Sequence, residues 1–186
     1  ELIMNGGFSP LAGFMSRNDY TSVINDMRLS NGALWPMPIT LDIDDNFASK
    51  ISNSPKIALR DQEGFVLAIL NINDIWKPDL EFEAQSVFGT SDTTPPGVHY
   101  LLKNSKKNYI GGIIEKVSNR NYYDYKNLRH SPDELKGIFK NRKWDKVIAF
   151  QTRNPLHRAH FELTKRAMKK LNANLLIHPV AGMTKP

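Results

Sequence analysis

Between residues 147 and 180 the apolar pattern changes period twice, and this stretch limits the fold more than any other. Val147-Ile148-Ala149-Phe150 is a short continuous apolar run, the mark of a strand buried on both faces. From Leu156 to Leu171 the pattern is helical, with Phe161, Leu163, Ala167, Met168 and Leu171 supplying apolar surface. Leu175 to Val180 predicts a second strand. Strand, helix and strand within roughly 30 residues predict a βαβ unit with parallel strands and a right-handed crossover.

The preceding sequence follows a different pattern. Residues 1–38 are turn-rich, with breakers at Asn5-Gly6-Gly7 and Ser9-Pro10 and with Phe8, Leu11 and Phe14 as anchors under a loop. Within that stretch, Ser16 to Met27 predicts a short helix capped by Ser16. Residues 39–117 read mostly as strands. Ile39 to Ile43 alternates with period two, Lys56–Leu59 and Gly64–Ile72 form a hairpin pair, and Tyr109–Val117 is a further strand. Asp74 to Asp79 ends the hairpin run, and Glu81–Val87 is a short helix. Gly111-Gly112 marks a bulge or a close backbone approach. This spacing of short strands suggests a small mixed barrel. After a polar stretch carrying Tyr122, Tyr123 and Tyr125, Ser131-Pro132-Asp133-Glu134 predicts a capped helix running to about Arg142. The change of pattern places a boundary between a β-rich unit, 1–130, and a second unit, 131–186.

Composition narrows the chemistry. The chain has no cysteine, which excludes a disulfide scaffold, a thiolate zinc site, an iron–sulfur cluster and a cysteine nucleophile. No stretch approaches the ~20 apolar residues that span a bilayer, and the opening Glu1-Leu2-Ile3-Met4-Asn5 has no basic n-region. A cytoplasmic location is the expectation. Lys plus Arg is 25 and Asp plus Glu is 19, leaving a net charge of +6. That charge suits an anionic partner, or solubility alone, and the basic residues form no clustered stripe of the kind that binds nucleic acid.

The chemistry concentrates in Gln151-Thr152-Arg153-Asn154-Pro155-Leu156-His157-Arg158-Ala159-His160, where the first strand ends and the helix begins. Ligands of open parallel sheets bind outside the carboxyl ends of the strands. Asn154 and Pro155 read as the N-cap and first residue of the helix, whose free N–H groups suit a phosphate. His157 and His160, three apart, share one face and can donate to the same anion. Arg153 offers a planar fork for an oxyanion, and Gln151 and Thr152 add neutral donors. The set describes a site for two anions held side by side. The same histidines could pair on a metal, although no carboxylate or thiol stands at a supporting spacing, or could form a solvated helix face.

Those ten residues resemble the Q-T-R-N-P-x-H-x-x-H signature of the ATP sulfurylase (sulfate adenylyltransferase) family. Leu2 to Met15, Trp35 to Leu41, Val87-Phe88-Gly89-Thr90 and His178 to Pro186 also resemble segments of that family, so the similarity covers essentially the whole chain. Where the family often has a histidine before Pro-Gly-Val, this chain has Pro95-Pro96-Gly97-Val98.

The resemblance implies an N-terminal PUA-like β-barrel domain followed by the first βαβ of a Rossmann-like nucleotidyltransferase domain. It implies conversion of ATP and sulfate to adenosine 5′-phosphosulfate and pyrophosphate, with Mg²⁺ on the nucleotide. It implies that Gln151 and Arg153 hold sulfate, that Thr152 and Asn154 contact the nucleotide phosphates, and that His157 and His160 bind phosphate oxygens and stabilise the transition state. It also implies a homo-oligomer at full length. Family members continue with more strands and a Gly-Arg-Asp-His-type loop, so the expectation is a fragment that holds the first domain and the opening of the second. Two other readings stay open: another nucleotidyltransferase of the same superfamily, which would lack the Gln-Thr-Arg-Asn lead-in, and a PUA-like RNA-binding module, supported by the +6 charge.

Overall fold

The structure is a computed structural model, and it describes residues 1–118 and 124–180. Tyr122 and Tyr123 of the polar stretch, and Ala181 to Pro186 of the last family-like segment, lie outside the described residues. The chain divides into two compact units, Glu1–Arg129 and His130–Pro186.

The first unit is built on strand β5, Asn108–Lys116. On one side β5 pairs along its length with β4, Val66–Trp76, which in turn pairs with β3, Lys56–Arg60. On its other side β5 takes two short strands end to end: β2, Leu41–Ile43, against Asn108–Ile110, and β1, Gly13–Phe14, against Gly112–Ile113. Every pairing is antiparallel, where the spacing suggested a mixed arrangement. Phe14, expected under a loop, is part of the sheet. Strand β4 runs through Asp74 to Trp76, beyond the end read from the sequence, because a register shift between Ile72 and Asp74 absorbs Asn73 and lets pairing resume.

That shift faces Gly111 and Gly112. A Cβ on Gly112 would meet the carbonyl oxygen of Asn71, and one on Gly13 would meet that of Gly112. The glycine pair therefore serves a close backbone approach on β5, and the bulge lies on its neighbour.

Three helices outside the strand–helix–strand unit were legible in outline. Helix α1, Arg17–Asp26, starts at Ser16, whose hydroxyl accepts from the Asp19 amide, and ends at Met27 in the left-handed region. Met27 is exposed because it is the cap and not part of the buried stripe, which is Tyr20 and Val23. Helix α3, Leu80–Phe88, is capped by Asp79. Helix α5, Pro132–Asn141, has a reciprocal capping box between Ser131 and Glu134. Helix α2, Asp45–Ile51, and α4, Pro96–His99, which continues as a π-helical turn over Tyr100–Asn104, had no periodic signal long enough to read.

The core beneath α1 holds Met15, Tyr20, Val23, Leu29, Trp76 and Tyr109. The rings of Tyr20, Trp76 and Tyr109 meet at centroid distances of 5.6–5.9 Å. Into this apolar cluster α3 inserts Glu83, only 6% exposed. The hydroxyls of Tyr20 and Tyr109 donate to its Oε2 at 2.9 and 3.0 Å. Removing that acceptor would leave two buried donors unsatisfied, at about 1–3 kcal/mol each. Burial pushes the Glu83 carboxyl up, against the pull of the two donors, and pushes both phenols up as well.

The second unit has strand β6, Val147–Thr152, paired in parallel with β7, Asn174–Pro179, and joined to it by α6, Arg158–Leu171. The expected βαβ is present. Within the described residues, Ala149 and Gln151 of β6 are exposed. Helix α6 covers only the face that carries Phe150, whose ring meets His160 at 5.2 Å. The inward stripe of α6 is His160, Thr164, Ala167 and Met168, while Phe161 and Leu163 are exposed. The Lys165 ammonium lies 4.9 Å from the exposed Phe161 ring.

Two outcomes test this account. Gly112→Ala is expected to destabilise the first unit by about 1–3 kcal/mol in urea unfolding, because backbone and not a flexible side chain must give way. For Glu83, a folded-state pKa raised above the unfolded one contributes stability below the ordinary carboxylate value, and this is lost as pH rises through the folded value. The melting temperature of the wild type minus that of Glu83→Gln should therefore increase as pH falls from about 7 toward about 4. A difference that stays flat across that range would refute the buried acid.

Candidate anion site at the end of the parallel ladder

The geometry of the site begins with the hydroxyl of Thr152. It accepts from the Asn154 amide at 3.0 Å and donates to the Asn154 carbonyl at 2.8 Å. This tight local pair turns the chain off the sheet as soon as β6 ends. It also overturns the expected helix start. Asn154 and Pro155 lie within the turn and its exit, and α6 begins at Arg158. The N-cap is His157, with extended backbone at φ −110° and ψ 173° and no side-chain cap bond. Thr152 holds Asn154 in the turn, and so Asn154 is not placed to cap the helix.

The later start moves the histidines without parting them. His157 at the cap and His160 in the first turn stack with ring centroids 3.8 Å apart and planes 30° apart. His160 contacts both rings, stacked with His157 and tilted against Phe150. Its Nδ1 is buried without a hydrogen-bond partner among the described residues. The helix end beside them leaves its first amides without a side-chain cap. Uncapped amides and two imidazoles at a positive dipole end offer donors that suit phosphate oxygens.

The other residues of the motif divide between the two faces. Alternation along β6 puts Phe150 on the α6 face and Gln151 on the opposite one. Gln151, Arg153, Asn154 and His157 are exposed, while Thr152 and His160 are half-buried. The structure thus brings His157 and His160 together, ties Thr152 to Asn154, and sets Gln151 on the far side of the strand end. Phe150 was missed as a supporting residue. Its signal was the period of two that places it one step before Gln151 on the helix side.

Among the described residues, no group of three or more His, Cys, Asp or Glu side chains stands close enough to hold a metal ion. Nor is any helix long and apolar enough to cross a membrane.

Comparison with known proteins bears on both units. Residues 1–119 match the family model described as a PUA-like domain, and residues 126–186 match the ATP-sulfurylase model. The sulfate adenylyltransferase of Saccharomyces cerevisiae is 50% identical over 186 residues, which is all of this chain and 36% of that protein. That of Mycosarcoma maydis is 51% identical over 189 residues, covering 33% of that protein. The chain therefore spans about a third of the length of these relatives. A solved structure described as a hexameric APS kinase from Thiobacillus denitrificans superposes with a TM-score of 0.72 at 33% identity, over 98% of this chain and 32% of that one.

The turn makes a checkable claim. Thr152→Val keeps the shape and loses both hydrogen bonds, whereas Thr152→Ser keeps them. Amide exchange at Asn154 should quicken about fivefold in the valine variant and change little in the serine variant.

Proposed function

The chain belongs to the ATP-sulfurylase family, and we propose that its protein transfers the adenylyl group of ATP to sulfate, releasing pyrophosphate and forming adenosine 5′-phosphosulfate. The observation that carries this reading is the stacked pair His157–His160 at the uncapped start of α6, one tight turn beyond Gln151 at the carboxyl end of a parallel strand.

Sulfate is a dianion at neutral pH and needs no general base. It is also a poor nucleophile facing an anionic phosphate. The task of the protein is to strip water from it, place it in line with the α-phosphorus and offset the repulsion between the two anions. In our reading Arg153 binds sulfate through its fork and Gln151 adds a neutral donor. Thr152 and Asn154 contact the nucleotide phosphates through the turn that their mutual hydrogen bonds hold. His157 and His160 donate to phosphate oxygens, where charge grows as pyrophosphate leaves. His160 packs against Phe150 and His157 stacks on His160, so their donors need little reordering when the nucleotide arrives. Mg²⁺ enters on the ATP, as part of the substrate, and neutralises phosphate charge there.

The division of labour extends along the chain. We place the adenylyltransferase part from residue 131 onward and the PUA-like part before it. We read the whole protein as a cytoplasmic homo-oligomer that acts on small molecules and not on nucleic acid or membranes. The hexameric description of the similar solved structure supports assembly.

The test is sulfate-dependent pyrophosphate release from MgATP by the full-length protein. Arg153→Ala should abolish it while ATP binding survives in part. His157→Ala should lower kcat by about 100-fold or more, with a much smaller loss of ATP affinity. Unchanged turnover in the arginine variant would remove Arg153 from the site. A wild-type protein without sulfate-dependent release would overturn the function.

A further inference from the structure

We infer that His178, on β7, is a further donor to the sulfate that Gln151 and Arg153 hold, so that the substrate oxyanion is bound across the ladder from both strands and not from β6 alone. The inference rests on the sulfate-binding reading above and adds to it a residue outside the ten-residue motif.

Register is the first observation. Gln151 and His178 are direct partners in the parallel pairing of β6 with β7. Partners across neighbouring strands carry their side chains on the same face, with the strands about 4.8 Å apart. That face is the one turned away from Phe150, His160 and α6. The imidazole of His178 and the amide of Gln151 therefore stand side by side at the carboxyl edge, away from the histidine pair on the helix.

Rigidity is the second. Pro179 follows His178 directly, and a residue before proline is confined to extended backbone. The ladder also continues past the pair, since the Val180 amide donates to the Thr152 carbonyl at 2.9 Å. His178 is thus held between the Phe150–Ile177 pairing below it and this bond above it. Its side chain projects from a fixed position and not from a loose end.

Availability is the third. Both Gln151 and His178 are exposed, and neither has a side-chain hydrogen bond to another described residue. The chemistry fits what a tetrahedral dianion requires. Its four oxygens point in divergent directions, and donors on one strand reach them from one side only. Gln151 supplies one N–H, the Arg153 fork supplies two, and the imidazole N–H of His178 approaches from the neighbouring strand. Sulfate then approaches the carboxyl end of the ladder from the side of Gln151 and His178 and meets the α-phosphorus there, with the leaving pyrophosphate toward His157 and His160.

The experiment uses the full-length protein and two readouts, sulfate binding by isothermal titration calorimetry and steady-state kinetics in sulfate and in MgATP. His178→Ala should weaken sulfate binding and raise the KM for sulfate about tenfold, with the KM for MgATP within about twofold of wild type. His178→Gln and His178→Asn each keep an N–H donor near one ring nitrogen, and at least one of them should recover most of the loss. Unchanged sulfate binding in the alanine variant would overturn the inference. So would an equal rise in both KM values, or a loss that neither amide variant repairs, since these signal general disturbance of the strand end. The two readouts separate this inference from the function it rests on. A wild-type protein that binds sulfate without turnover would refute the adenylyl transfer, and His178 would still be judged by the calorimetric loss. A wild-type protein that does not bind sulfate would overturn both.

Discussion

The parallel ladder between β6 and β7 is the constraint on which the candidate site depends. A parallel pair cannot be closed by a hairpin, so the chain must leave β6, cross as a helix and return. Leaving the strand sharply is what the Thr152 hydroxyl accomplishes, and the exit sets where α6 begins. From that start follow the stacking of His157 on His160 and the contact of His160 with Phe150. The return strand then sets His178 beside Gln151. One ladder register thus places donors on two faces of a single strand end.

The first unit solves a different problem, that of a strand with neighbours on both sides and residues 108–112 buried. Three strands crowd toward β5 near Gly111-Gly112, and the backbones approach so closely that no side chain fits there. The extra residue at Asn73 adjusts β4 to this crowding. Beside it the aromatic cluster encloses Glu83, a buried carboxyl made tolerable by two tyrosine hydroxyls. An apolar residue there would leave those hydroxyls without an acceptor, which is the physical reason for an acid in a core.

Much of this was legible in the residues. The caps at Ser16 and Ser131 announced their helices because a hydroxyl followed by an acidic residue three positions on is a local hydrogen-bonding device that needs no tertiary context. The hairpin of β3 and β4 was legible from alternation around a polar turn. Helix α4 with its π-helical turn was not, since four helical residues after Pro95 have no period to detect. The helix start at Asn154-Pro155 was misread for a specific reason. Both residue types favour that position in general, but the Thr152 hydroxyl two residues earlier engages the Asn154 backbone first.

By itself the sequence determined the kinds of structure and the chemistry available. It contained a strand–helix–strand unit, donors of three types at the first strand end, and no cysteine with which to do other chemistry. These follow from periodicity and side-chain inventory, which act within a few residues along the chain. Tertiary structure alone decided which donors meet. Nothing between Gln151 and His178 in the sequence announces that they are partners, because pairing register is fixed by the crossover length and by packing of α6 on one face. The same packing decided that Ala149 and Gln151 stay open while Phe150 is covered, although all three belong to one strand. A face exists only once something is laid against it, and that contact is a property of the fold.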